Sequence, residues 1–316
     1  MALQTKSGKA FEYALAVKLT EKISNGQQVK LEQNSQFHTA KRSFDSFPQT
    51  KQDNYRKSAH AAIDYIVKLE PRLENPLSND GITIVIQSDQ KGSSGDIRDI
   101  VAIRSKHGWE VGFSAKNNHM AVKHSRLSDK IDFGKEWFGI PCSCEYMSDI
   151  RKIFGELRDL INENKKNEHI LLWSDLPKKQ DVYNKVLDLF QKELTRIIAS
   201  NSNSPEFLLK YLIGKEDFYK IMNFKNRTTI QAFNLYNTLN QSSGSIHPVK
   251  KIQKLKLPTK IDAYERKRGT TLEVRFDGGW QLSLRIHNAS SRVEPSLKFD
   301  IQLTGIPSSL SGHDEF

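Results

Sequence analysis

Residues 96–126 constrain this chain more than any other stretch. Asp96 to Asp99 lead into the apolar run Ile100 to Ile103, residues 105–108 form a polar turn closed by glycine, and residues 109–116 (Trp-Glu-Val-Gly-Phe-Ser-Ala-Lys) alternate apolar and polar. This pattern predicts two strands, over 97–104 and 109–116, joined as an antiparallel hairpin. In the second strand Val111, Phe113 and Ala115 share the face toward a core, and Glu110, Gly112, Ser114 and Lys116 share the other. The start of one hairpin strand lies beside the end of the next, so geometry alone brings Asp99 next to Lys116. Acid–lysine pairs across strands are also common as plain salt bridges, and the spacing does not separate the two readings.

The rest of the chain sets the context. Its 316 residues suit one large domain or two modest ones, with 37% hydrophobic and 27% charged residues, as in an ordinary globular protein. Net charge is +11 and the sequence pI about 9.4, an excess that attracts polyanions, nucleic acid first. Two cysteines, Cys142 and Cys144, give no disulfide framework. No apolar run is long enough for a signal peptide or a membrane span, so the expected location is cytoplasmic, with no membrane partner.

Periodicity predicts helices over 7–22, 55–69 and 180–199, with the second ending before Pro71. Residues 25–50 read as a loop or short edge element, residues 81–87 as a strand, and the chain from Ala121 onward as helical. Residues 168–173 read as a buried strand, and two short helices are expected over 206–222. From about 260 to 307 apolar and polar residues alternate, with a hairpin signal at Asp277-Gly278-Gly279, and residues 308–316 look frayed. The fold class is α/β, with a mixed central sheet and a β-rich C-terminal segment.

One end of the hairpin is crowded with polar groups: Asp96, Asp99, Lys116, Asn117, Asn118, His119, Lys123, His124 and Arg126. An acid that can hold a divalent cation beside a lysine that can handle water is a minimal kit for phosphodiester hydrolysis. Such an acid suits Mg²⁺, which prefers oxygen ligands. If residues 121 onward are helical, Lys123 and Arg126 share a face and can grip phosphates. His119, His124, Cys142 and Cys144 hold the residue types of a zinc site but lack its spacing. In the C-terminal segment Arg285, His287, Asn288, Ser290 and Lys298 stand in a strand-like pattern. Arginine pairs well with guanine there, or the surface tracks phosphate alone. No Walker A motif, dinucleotide fingerprint or nucleophile elbow is present.

An acid opening one strand, followed by acid-x-lysine at the end of the next, resembles the PD-(D/E)XK nuclease superfamily. Residues 110–128 and 285–300 are similar to type II restriction endonucleases of the HaeIII type, which recognise GGCC. The resemblance implies a PD-(D/E)XK core over residues 1–240 with helical insertions, and a DNA-contacting β-rich region over 241–316. It implies Mg²⁺-dependent cleavage of double-stranded DNA at a short palindrome, leaving 5′-phosphate ends. It also implies a methyltransferase protecting the same site. A homodimer would suit a palindrome, and a monomer nicking each strand in turn is the other arrangement. By the same resemblance Asp99 is the principal metal ligand and Lys116 the catalytic lysine. The superfamily's middle acid falls at Ser114, where this sequence departs from the pattern. Glu12, in a context like the superfamily's first-helix glutamate, and then Asp96 are the candidates to replace it. Glu110 stands roughly 20 Å along the strand from Lys116 and is excluded. Two alternatives remain at this point: a DNA-binding protein on a decayed nuclease fold, suggested by Ser114, and a repair nuclease that reads structure.

Overall fold

The structure is a computed structural model that describes residues 3–75, 80–88, 96–118, 125–177, 179–267 and 269–315, with the backbone alone for 121–123. Helix α1 (Leu3–Ile23) buries Ala10, Phe11, Ala14, Leu15 and Leu19. The stretch expected as a loop or short edge element holds a short edge strand β1 (Val29–Leu31) and, unexpectedly, a helix α2 (Ser35–Asp45). Asn34 starts that helix, its side chain accepting from the Phe37 N–H. Helix α3 (Gln49–Leu69) is followed by a single turn α4 (Pro71–Glu74). Strands β2 (Ile82–Ile86), β3 (Ile100–Arg104) and β4 (Trp109–Asn117) follow, and β3 and β4 pair as the expected antiparallel hairpin. Gly108 closes the turn between them at φ 56°, which favours glycine.

Four expectations are corrected. Residues from 121 onward are not helical but form strands β5 (Ala121–Lys123) and β6 (Arg126–Ser128), because both pair with a strand far downstream, at residues 296–302. Helix α5 (Phe133–Phe138) and the long helix α6 (Cys144–Lys166) then precede residues 168–173. That segment is no strand: it begins with left-handed Glu168 (φ 58°) and makes one isolated bridge, Leu172 to Arg292. Helices α7 (Lys179–Ser200) and α8 (Ser204–Ile213) lead into strands β7 (Phe218–Phe224) and β8 (Arg227–Phe233), so the second of the two expected short helices is a strand. β7 is buried along almost its whole length, and a strand covered on both faces lacks the alternation that marks it in sequence. Strands β9 (Ile261–Lys267), β10 (Thr271–Phe276), β11 (Gln281–His287) and β12 (Ser296–Gly305) follow. The supposedly frayed terminus is strand β13 (Ser311–Glu315), held by pairing with β8.

The chain packs as two units. The first comprises residues 1–120, 214–256 and 308–316. Its seven-stranded sheet runs β1-β2-β3-β4-β7-β8-β13. β1 is parallel to β2 and β7 to β4, and the other neighbours are antiparallel. One face presents Ile84, Ile100, Ala102, Val111, Phe113, Ala115, Tyr219 and Ile221 to a core shared with α1 and α3. Two charged groups buried here are hydrogen-bonded, Arg104 through its whole guanidinium and Glu70 through one oxygen. Arg104, 2% exposed, donates to the carbonyls of Arg72 and Asp80 at 2.7 and 2.6 Å. Glu70, fully buried, accepts from the Tyr219 hydroxyl at 2.7 Å and the Asn240 N–H at 2.6 Å.

The second unit comprises residues 121–213 and 257–307. Its antiparallel sheet runs β5-β12-β11-β10-β9, with β6 also paired to β12. Leu272, Val274, Leu284, Ile286, Leu297, Phe299 and Ile301 make a buried face. Phe299 packs on Phe190 of α7 at 4.8 Å between ring centres. Among the described residues no helix is long and apolar enough to cross a membrane.

Burial raises the Glu70 carboxyl from 4.5 to about 7, against the lowering pull of its hydrogen bonds. A carboxyl raised in the folded state binds a proton there more tightly than in the unfolded chain. Stability is therefore full below pH 4.5 and falls as pH rises toward 7. Glu70→Gln, which keeps an acceptor for Tyr219 and Asn240, should flatten this slope. It should leave the protein more stable than the parent at pH 8, by on the order of 2–3 kcal/mol, as measured by urea unfolding at several pH values.

Candidate active site

The hairpin register decides which side chains meet. Ile100 pairs with Phe113, and one step further Asp99 stands opposite Ser114. Oδ2 of Asp99 accepts three bonds from consecutive residues of β4: the Ser114 hydroxyl at 3.2 Å, the Ala115 N–H at 2.7 Å and the Lys116 ammonium at 3.1 Å. Its other oxygen takes no hydrogen bond from the described residues. Asp99 and Lys116 are partly exposed, at 23% and 22% of their side chains, so the pair is reachable from solvent.

Glu12 comes to this group from α1. It is 5% exposed and accepts from Lys9 Nζ at 3.1 Å. Burial first, and then the nearby Asp99 carboxylate, push it from 4.5 up to about 7, while Lys9 and Lys116 pull it back. A carboxylate that disfavours the ionisation of its buried neighbour marks a place where a cation is favourable. Among the described residues no group of three or more His, Cys, Asp or Glu comes together as a metal cage. Two carboxylates are nonetheless the usual protein contribution to Mg²⁺, which keeps water and substrate oxygens in its remaining positions. The donor set of Asp99 and Glu12 fits that ion.

Asp96 points elsewhere. Both of its oxygens are taken by the Arg98 guanidinium, at 2.8 and 2.9 Å, which holds its carboxyl low against the raising effect of burial. Glu110 accepts from the same guanidinium. Asn117 turns inward, donating to the Ser7 hydroxyl at 2.9 Å and accepting from the Asn223 amide at 2.8 Å. Asn118 is exposed in a left-handed conformation (φ 52°). His119 and His124 lie outside the described residues, as does the side chain of Lys123.

Two lysines of this site escaped the sequence reading. Lys9 was legible as the i,i+3 partner of Glu12 on a helix. Lys220 was not, because its segment reads as helix. It pairs in register with Ser114, is 3% exposed, and is lowered from 10.5 to about 7 by burial and by the neighbouring Lys116.

The remaining candidates lie in the second unit, on the polar face of its sheet. His287 pairs with Lys298, and Lys298 with Arg126, so three basic side chains stand in one row across β11, β12 and β6. Burial, then the Arg126 charge, lower Lys298. Arg126 is bonded to Glu294 and Ser296, both at 3.1 Å, and Arg285 to Asp300 at 3.2 Å. Asn288 and Ser290 shape the loop: Asn288 accepts from the Tyr183 hydroxyl at 2.7 Å and donates to the Ser290 carbonyl. Cys142 accepts from the Gly134 N–H, its thiol is pushed up by burial, and both cysteines are free.

The profile of the HaeIII restriction endonuclease family matches residues 8–307 of this chain. The chain is 40% identical over 310 residues to the Type II restriction enzyme HaeIII of Haemophilus aegyptius, covering 96% of this chain and 95% of that protein. No solved structure gives a significant match. A match over nearly the whole length carries the hairpin, α1 and the second unit's sheet together: the chain belongs to the HaeIII restriction endonuclease family.

Proposed function

We propose that this restriction endonuclease acts in the cytoplasm through a PD-(D/E)XK-type centre. It cuts both strands of duplex DNA by Mg²⁺-dependent hydrolysis at a short palindrome, GGCC being the site expected from the HaeIII type. One observation carries the reading: a single oxygen of Asp99 gathers the Ser114 hydroxyl, the Ala115 N–H and the Lys116 ammonium at a partly exposed end of the hairpin.

Asp99 and Glu12 would hold the metal, and the Ala115 carbonyl could add a ligand. Bound Mg²⁺ supplies electrostatic stabilisation of the charge that develops on the phosphoryl oxygens. Asp99 is fixed by its three donors, so its free oxygen is preorganised and not lost to solvent exchange. Lys116 sits 3.1 Å from that carboxylate, where it can orient the attacking water and take or relay its proton. Water attacks phosphorus in line, the P–O3′ bond breaks, and the products carry a 5′-phosphate and a 3′-hydroxyl. Ser114 contributes a hydroxyl donor where an acid would be a ligand. Asp96, bound by Arg98 on both oxygens, is the weaker candidate ligand.

For DNA contact, the polar face of the second sheet supports phosphate gripping by Arg126, Lys298 and His287 and base contact by the more exposed Arg285. Like charges directly opposite on neighbouring strands are destabilising, and a polyanion relieves them. Asn118, His119, Lys123 and His124 are proposed to contact the DNA backbone, whereas the Asn117 amide is taken up by Ser7 and Asn223, and Asn288 and Ser290 support the strand-end loop. A methyltransferase guarding the same sequence is the functional partner, and a homodimer matches the twofold symmetry of a palindrome.

Asp99→Ala and Lys116→Ala should each abolish discrete plasmid cleavage in Mg²⁺ while retaining DNA binding in gel-shift assays. Wild-type rates from either purified variant would end the assignment. Arg126→Ala and Lys298→Ala should each lower the slope of log affinity against log salt by about 1, weakening binding equally for specific and random duplexes. An unchanged slope, or a loss confined to one sequence, would remove them from the phosphate contacts.

A further inference from the structure

Arg98 precedes Asp99 by one residue and is 9% exposed. A charge buried to that degree persists only when it is paired. Arg98 is paired on two sides. Its Nε and Nη2 donate to the two oxygens of Asp96 at 2.8 and 2.9 Å, and its backbone N–H donates to Asp96 at 3.1 Å. Its Nη1 donates to Glu110 on β4 at 2.6 Å. Gln87, just past β2, adds a bond to Asp96 at 3.2 Å, and its backbone N–H donates to the Asp99 carbonyl at 2.9 Å. Residues 96–98 stand before the first ladder pair of β3, so these side-chain bonds are what hold the approach to Asp99.

Space for the arginine comes from Gly112. A Cβ there would lie 2.0 Å from Arg98 Cδ and 2.6 Å from Cγ, far inside contact distance. By strand parity Gly112 shares its sheet face with Ser114 and Lys116. The arginine stem therefore crosses the sheet two residues before the serine that donates to Asp99, and its fork closes on acids from both sides of the hairpin.

We infer that Arg98 is a positioning residue. Seated over Gly112 and gripping Asp96 and Glu110, it fixes the turn from which Asp99 meets Lys116 and the divalent cation. This rests on the nuclease reading above. Asp96 then serves as the arginine's anchor rather than as a metal ligand. A planar fork makes these bonds, and a lysine in the same place keeps the charge without the geometry.

Two single variants test it: Arg98→Lys, and Gly112→Ala, which displaces the stem while leaving every charge in place. Both should remain folded by circular dichroism. Plasmid cleavage should lose about 10- to 100-fold in kcat. KM for DNA should stay within about twofold, because nothing that binds substrate has moved. Calorimetric titration with Mn²⁺ should weaken by a factor similar to the kcat loss. If either protein fails to fold, Glu110→Gln loosens one arm of the fork at a side chain that is 41% exposed, and the same kcat and Mn²⁺ losses, smaller in size, are expected. Folded variants with lowered Tm but parental kcat and parental Mn²⁺ affinity would overturn the inference. A parent protein that binds Mn²⁺ but cuts no DNA would instead overturn the proposed function, and the Mn²⁺ arm would still decide the role of Arg98.

Discussion

Oδ2 of Asp99 accepts from the Ser114 hydroxyl, the Ala115 N–H and the Lys116 ammonium, three consecutive residues of the neighbouring strand. Ser114 and Lys116 lie on one face of β4, so a single acid opposite them can meet both side chains. The Ala115 N–H between them goes to the Asp99 side chain because the ladder pairs of β3 begin only at Ile100, at the end of the hairpin away from its turn. The arrangement fixes one oxygen and leaves the other, which takes no hydrogen bond from the described residues, for the cation proposed above. The remaining features of the site follow from keeping that carboxylate in place: the hairpin turn at Gly108, the helix that brings Glu12, and the Arg98 fork over Gly112.

Charge is buried around this point to an unusual degree. Lys9, Glu12, Arg98 and Lys220 are each less than 10% exposed, within one unit of the chain. Removing an ion from water is costly, so such groups persist where partners offset the loss. Lys9 has Glu12 and Arg98 has two acids. The cost is visible at Glu12 and Lys220, whose ionised forms are both disfavoured by burial. A substrate phosphate and a divalent cation are the two charges that the proposed reaction would bring to this mixture. The second unit handles charge differently. Its basic row of His287, Lys298 and Arg126 lies on a sheet face, with the apolar side turned to α7.

Much of the first unit was legible because its pattern is local. The hairpin of β3 and β4 follows from alternation and a glycine turn, and the parity of that strand put Ser114 and Lys116 on one face. The amphipathic runs of α1, α3 and α7 were equally plain, as was the β-rich stretch from 261 to 305. The failures share a cause. β5 and β6 are three-residue strands whose only reason to be extended is β12, far along the chain. β7 is buried on both faces and carries no alternation, and with it Lys220 was lost. β13 is a terminal segment made regular by β8. Arg98 was read only as a residue of the strand expected over 97–104, because the glycine that makes room for it belongs to the next one.

The resemblance to a known family singled out Glu12 as the candidate for the acid missing at Ser114. The sequence by itself determined that an acid and a lysine would meet at the end of a hairpin, that the segment carrying Glu12 would be a helix, and that the chain carries an excess of positive charge. These are consequences of strand parity, helical spacing and composition, which act over a few residues or none. Only the tertiary structure decided which polar groups share the space around Asp99. Glu12 arrives from α1 with Lys9, Lys220 from a strand more than a hundred residues later, and Asp96 is held away by Arg98. Such encounters depend on which strands pair and which helices cover them. That choice is made by burying apolar faces over the whole chain, so no short window of sequence records it.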